Sequence, residues 1–270
     1  YPQNRKYEEV MQENLENQFG RAAFEEVCLD FQVDIVISLR DVWHDRFIER
    51  SVFRNKFKWC YDYCIDSDPL PAYHLNTYKK VDLGLTYTAY GKYVIETQSN
   101  IKIFDIVRCG VDLNVYKPVN KKGIREKYNL SPEVIIFGTI SRNQPRKRVG
   151  EEFDAFDIFL RKYGKEYPDI ISNTYLLCHT TSPDCGIDIP EHIDRLGIGK
   201  QCLFTYRCDK CGQFTIRNYC GDSGVPCQNC KNFSCRFPSG NRGLTEEQVA
   251  NIHQLCDYYI QPSIAGACEM

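Results

Sequence analysis

No apolar run in the sequence approaches the roughly 18 residues that a membrane-spanning helix needs. Nor is there an excess of either charge: 34 Lys and Arg stand against 36 Asp and Glu, a formal net charge of -2. That balance removes global attraction to nucleic acid or anionic lipid as an organising force. Internal repeats and low-complexity tracts are absent, so neither a solenoid nor a disordered tail is suggested. The opening residues, Tyr1 to Tyr7, are polar and charged, with no signal peptide in view. There is no initiator Met, and the sequence stops at Met270, just after an apolar stretch. The expectation is a cytoplasmic piece of a longer chain, cut at both ends.

What is present is a chain of 270 residues, 43% hydrophobic and 26% charged, enough for two domains of ordinary size. Helical and strand-like segments alternate, which predicts α/β layers around mostly parallel sheets. Short apolar runs read as strands: Ile35–Ile37, Trp59–Tyr61, Leu83–Tyr87 and Ile103–Val107. Around Lys117 to Lys122 the composition turns polar, with Pro118 as a breaker, so one domain is expected over 1–118 and a second over 119–270. The rhythm restarts with strands at Val134–Phe137, Tyr175–Leu177, Cys202–Phe204 and Tyr258–Ile260. Phe153, Phe156, Phe159, Leu160 and Tyr163 share one helical face. Thr245-Glu246-Glu247-Gln248 has capping-box spacing and predicts a helix start.

Fifteen cysteines is a high number. Those scattered in apolar surroundings, such as Cys28, Cys178 and Cys256, read as small buried hydrophobes. Cys208-x2-Cys211-x15-Cys227-x2-Cys230 is different. Two such knuckles can set four thiolates around one Zn2+, and without secretion signals a metal site is favoured over disulfides. Four thiolates leave no open coordination position, so the expected role is structural. A zinc-ribbon-like insertion is therefore placed at 207–241, a compact knob with Cys220 and Cys235 as surplus thiols that can replace a ligand. Few large apolar residues lie in it, which is too little core for such a segment to fold without metal.

A second cluster follows a strand: Gly138-Thr139-Ile140-Ser141-Arg142-Asn143-Gln144-Pro145-Arg146-Lys147-Arg148. It puts four basic residues on a loop before a helix. Loops at the C-terminal ends of parallel strands are where α/β folds bind ligands, and Arg and Lys there suit phosphate oxygens. His179, directly after the strand Tyr175 to Cys178, is a candidate lining residue of the same pocket.

The segment from Ser141 to Lys147 resembles the first strand and loop of the donor domain in glycosyltransferase family 4, the group 1 transferases. In that family an Arg and a Lys five residues later hold the donor diphosphate; Arg142 and Lys147 keep the spacing. Cys109-Gly110-Val111-Asp112 with Tyr116-Lys117-Pro118 resembles the family's crossover between domains, with Cys109 where a His is usual. Asp34–Ser38 followed by Asp41-Val42-Trp43 resembles an acceptor-domain strand ending at the cleft, and Tyr63 to Pro71 its acidic, proline-containing loop. Gln261-Pro262-Ser263 resembles the segment before the family's Glu-x7-Glu motif. The first Glu of that motif should fall at position 266, which is Gly266; Glu269 comes three residues later. Glu269, through a shifted loop, and His44, beside Trp43, are the catalytic candidates.

The resemblance covers nearly all of the chain except the cysteine-rich segment. It implies a GT-B fold, two facing Rossmann-like domains, each incomplete here. It also implies a retaining glycosyltransferase of hexosyl type that moves a sugar from a nucleoside-diphosphate sugar to an acceptor hydroxyl without a catalytic metal. The acceptor is a glycan, a lipid or another hydroxyl compound, peripheral membrane contact is allowed, and this piece alone should be inactive. Two readings compete. One is a zinc-ribbon interaction module on an α/β scaffold, with nucleic acid as a candidate partner, which Asp209, Asp222 and the net charge oppose. The other is an inactive relative, motivated by Gly266.

Overall fold

The alternation of short β-branched or aromatic runs with amphipathic stretches produces two parallel-stranded units. The structure is a computed structural model that describes residues 19–221 and 224–264. One unit extends to Gly110 and the other covers Val111–Ile264. The expected boundary after residue 118 thus falls within the second unit.

The first unit contains helix α1 (Phe24–Asp30), strand β1 (Ile35–Arg40), helix α2 (Arg46–Glu49), strand β2 (Lys58–Tyr63), helix α3 (Ala72–Tyr78), strand β3 (Leu83–Thr86), helix α4 (Ala89–Gln98) and strand β4 (Asp105–Ile106). The strands form one parallel sheet in the order β1-β2-β3-β4. Strand β2 alternates with period two, burying Trp59, Tyr61 and Tyr63 on one face. Each ring finds a partner for its polar tip. Trp59 Nε1 donates to Ser38 Oγ at 2.8 Å, Tyr61 donates to the Arg40 carbonyl, and Tyr63 donates to the Tyr78 carbonyl at 3.3 Å. Gly84 on β3 makes room for this ladder: a Cβ there would stand 2.6 Å from the Tyr63 ring. The strand expected over Ile103–Val107 narrows to two residues, because β3 offers only Leu85 and Thr86 as partners before it ends.

The second unit begins with helix α5 (Lys121–Lys127) and continues with β5 (Ile135–Ile140), α6 (Val149–Tyr163), α7 (Pro168–Ser172), β6 (Thr174–His179), α8 (Ile189–Leu196), β7 (Cys202–Cys208), β8 (Phe214–Asn218), β9 (Cys235–Arg236), α9 (Glu246–Leu255) and β10 (Tyr258–Tyr259). The sheet order is β10-β5-β6-β7-β8, with β9 also on β7. Strands β10, β5, β6 and β7 are parallel; β8 and β9 run antiparallel to β7. Helices α6 and α8 cover one face through Phe153, Phe156, Leu160, Ile189 and Ile193. On the other, Ile252 and Leu255 of α9 pack with Ile136, Leu177 and Leu203. Asp257 fastens the edge, accepting from Lys121 Nζ at 2.6 Å, Arg125 at 2.5 Å and the Ile136 amide at 2.9 Å.

The cysteine-rich segment is not a separate knob. Its first part, β8, extends the sheet, and Phe214 and Ile216 bury into the same cluster as Ile136 and Leu203. The alternation in Phe214-Thr215-Ile216 fits a sheet edge, so these apolar residues serve the unit's core instead of one of their own.

Candidate functional site

In the second unit, strands β5 and β6 end side by side, with Ile140 opposite His179; β7 pairs with β6 as far as Cys178 opposite Phe204 and runs on to Cys208. Their C-terminal ends lead into the loop with Arg142 and Lys147 and carry His179, while Cys208 closes β7 farther on. The chain leaves β5 at Ser141, makes a tight 3-10 turn over Pro145–Lys147, and enters α6 through Arg148 in the left-handed conformation, φ 53°. No side chain caps α6, so its first-turn N–H groups face outward from the start of a 15-residue helix. A cavity of about 360 Å³ opens there, lined by Asn143, Gln144, Arg148, Gly150, Cys185 and Gly186.

Two loops are locked together at this point. Asn143, buried at 1% exposure, donates to the Ile187 carbonyl at 2.7 Å and accepts from the Ile187 amide at 3.1 Å. Gly186 lies so close that a Cβ would meet Asn143 Oδ1 at 2.1 Å. Arg142 is exposed and paired in a fork with Asp184, both bonds 3.0 Å. The guanidinium holds the Asp184 carboxyl below its usual range. Lys147 follows on the same loop, half-buried, its amide bonded to the Gln144 carbonyl at 2.9 Å. Arg142 and Lys147 thus share the loop that leaves β5, though neither lines the cavity there. Asp184 and Asn143 carried no sequence signal, because their roles depend on a loop 42 and 44 residues away in sequence.

His179, at the end of β6, bonds through Nδ1 to Thr205 Oγ1 at 2.7 Å. Burial, and then the neighbouring His253, push its pKa down to about 4, so the ring is neutral near pH 7. On the opposite face Glu152, in the first turn of α6, is 1% exposed. Burial raises its carboxyl to about 8 against the pull of the Thr139 hydroxyl.

The four knuckle cysteines converge. Their sulfurs lie within 4.8 Å of one another, with Cys208 to Cys230 and Cys211 to Cys227 each at 3.6 Å. Four sulfurs about 2.3 Å from a central Zn2+ would stand roughly 3.8 Å apart along each tetrahedral edge. The two turns repeat one geometry. Gly212 donates to the Cys208 carbonyl at 3.0 Å and Lys231 to the Cys227 carbonyl at 3.1 Å, with φ 71° and 62°. Burial opposes ionisation of Cys208, yet the Ser234 hydroxyl and the amides of Cys211 and Lys210 bring it down to about 6. Cys227 is also lowered: burial opposes, but the amides of Cys230 and Asn229 prevail. A donor set of four soft sulfurs with N–H groups aimed at two of them fits a thiophilic metal such as Zn2+. Among the described residues no other group of this kind is found. Cys235 is buried beside the cluster, and Cys220 is exposed outside it. Arg207, Arg236 and Arg242, basic residues in and beside this segment, all face Asp209, at 3.8, 3.5 and 2.8 Å.

In the first unit, Val42–His44 forms a 3-10 turn just after β1. A cavity of about 730 Å³ lies here, lined among others by Phe19, Phe24, Trp43, His44, Arg46 and Arg50. His44 stacks on Phe19 at 3.8 Å, and its Nε2 accepts from Trp43 Nε1 at 3.0 Å. The remaining catalytic candidate, Glu269, and Gly266 lie outside the described residues. Among the described residues no helix is long and apolar enough to cross a membrane.

No protein-family model matches the chain, and no curated protein matches it. Solved structures do. A sucrose-phosphate synthase from Thermosynechococcus elongatus is 14% identical with a TM-score of 0.61, over 94% of this chain and 58% of that one. An E. coli trehalose-6-phosphate protein bound with UDP-2-fluoro glucose is 12% identical with a TM-score of 0.55, over 93% and 57%. Anabaena HepE in complex with UDP and glucose is 14% identical with a TM-score of 0.52, over 70% and 52%. The chain thus spans about half to three-fifths of the length of these structures. At such identities the likeness concerns the fold, an α/β architecture of the GT-B class.

Proposed function

We propose that this chain is the greater part of a glycosyltransferase that uses a nucleoside-diphosphate sugar as donor. The observation that carries the reading is the basic loop Ser141–Arg148 on the C-terminal edge of a parallel sheet, directly before an uncapped helix. Anions bind at such places because backbone N–H groups and helix dipole act together. Support comes from the GT-B likeness, since two of the similar structures hold UDP or a UDP-sugar analogue.

In this reading Arg142 and Lys147 bind the donor diphosphate and stabilise the charge that grows on it as the glycosidic bond breaks. Asp184 holds the Arg142 fork in position until the donor arrives. A role for His179 in the donor pocket, its neutral ring at the end of β6 bonded to Thr205, belongs to the same proposal. Retention of anomeric configuration, a hexosyl donor and a hydroxyl acceptor belong to the same proposal, as do roles for His44 and Glu269. Cys208, Cys211, Cys227 and Cys230 would hold one structural Zn2+, which takes no part in the transfer. Its contribution is folding free energy for a segment whose apolar side chains are committed elsewhere. Calorimetric titration of the purified protein with UDP, GDP and their sugar conjugates tests the reading. Saturable binding of at least one is expected; no binding of any would overturn it.

A further inference from the structure

The four cysteines do not end in an isolated loop. Cys208 is the last residue of β7, and Gly212, just after Cys211, reaches the start of α9. The contact is made by Gln248, which is 8% exposed. Its Oε1 accepts from the Thr245 amide at 3.0 Å, and its own amide donates to Thr245 Oγ1 at 3.3 Å, completing the capping box. With the oxygen so engaged, Nε2 points the other way and donates to the Gly212 carbonyl at 3.0 Å. That carbonyl sits on a knuckle turn whose left-handed φ of 71° and bond to the Cys208 carbonyl are the geometry that brings Cys208 and Cys211 together.

Helix α9 carries this tie across the unit. Five residues beyond Gln248, about 7.5 Å along the axis, is His253. His253 packs edgewise on Tyr116 and against Tyr259, whose hydroxyl accepts from the Ile140 amide at 3.2 Å and donates to the Ile140 carbonyl at 3.1 Å. Ile140 is the last residue of β5, opposite His179 and directly before the loop that carries Arg142 and Lys147. A short chain of contacts therefore leads from the thiolate cluster, through one side-chain amide and one helix, to the end of β5.

We propose that Gln248 is a positioning residue: it ties the metal-binding turn to α9, so that metal loading holds His253 against Tyr259 at the end of β5 and the affinity of the sheet edge for its nucleoside diphosphate depends on the metal. The nucleotide half of this statement rests on the donor reading above; the tie itself does not.

Gln248→Glu separates the two jobs of this residue. A glutamate keeps the acceptor that the capping box needs but has no N–H for the Gly212 carbonyl. A plain helix cap would be preserved by it; the tie would not. Three quantities would be read in wild type and variant, with and without metal stripped by chelator: zinc per chain, the His179 and His253 ring resonances, and UDP affinity. The variant is expected to keep one zinc, shift both histidine resonances and bind UDP five- to tenfold more weakly. Stripping wild type should produce the same histidine shifts and the same loss, and stripping the variant should add little further. Unchanged histidine resonances in the zinc-loaded variant would overturn the proposal. So would metal removal that acts equally on both proteins. If wild type binds no UDP, the donor reading falls, and the histidine resonances still decide the tie.

Discussion

Glu152 gives the structure a pH signature that can be worked through in numbers. An acid in solution near 4.5 is held at about 8 because the folded state strips water from its carboxyl. Between those values the unfolded chain has released the proton and the folded chain keeps it. The folded state binds more protons, so stability falls as pH rises across the window and is fully retained below about 4.5. From pH 5 to pH 8 is three units at about 1.4 kcal/mol each, so the loss is on the order of 4 kcal/mol. Glu152→Gln keeps the shape and removes the titration. The variant should match wild type near pH 5 and exceed it by several kcal/mol near pH 8. Urea unfolding followed by pulsed labelling of the buried thiols Cys178 and Cys202 reports on this unit, and comparing the proteins at equal pH cancels the pH dependence of thiol chemistry. Stability differences constant to within about 0.5 kcal/mol across the range would refute the reasoning.

Other consequences are as direct. Arg142→Ala and Lys147→Ala are each expected to weaken nucleotide-sugar binding by tenfold or more, about 1.4 kcal/mol; equal titrations for wild type and both variants would remove them from the site. His179 should titrate near pH 4 by NMR, and because the unfolded ring takes up its proton near 6.5, stability should be lost as pH falls through that interval; a midpoint above 6 would contradict its burial. Elemental analysis should find one zinc per chain, and Cys208→Ser with Cys227→Ser should abolish it and open 207–241 to protease. Full zinc content in that double variant would exclude the proposed ligand set.

What was legible in the sequence was whatever depends on local spacing. The Cys-x2-Cys pairs, the Thr245 capping box, the β5 run and the basic loop after it each encode their geometry within a few residues. What was not legible depends on tertiary partners. Nothing about Asp184 indicates that it will meet Arg142, and Glu152 reads as a helix-surface acid until α6 is docked over Thr139. Gln248 was visible as a cap, not as the donor to a carbonyl 36 residues earlier. The independent knob failed for the same reason: Phe214 and Ile216 look like a small separate core until β8 is seen paired to β7.

Both tryptophans of the chain belong to the first unit. Trp59 is sealed beneath β1 with its indole N–H on Ser38, whereas Trp43 is half-exposed on the turn that follows β1. Light absorbed by indole alone therefore comes back as two colours from one half of the molecule, a blue component from Trp59 and a red one from Trp43, while the other half stays dark. Emission tracks the melting of the first unit by itself, circular dichroism tracks both, and the difference between the two curves reports the second unit without any label.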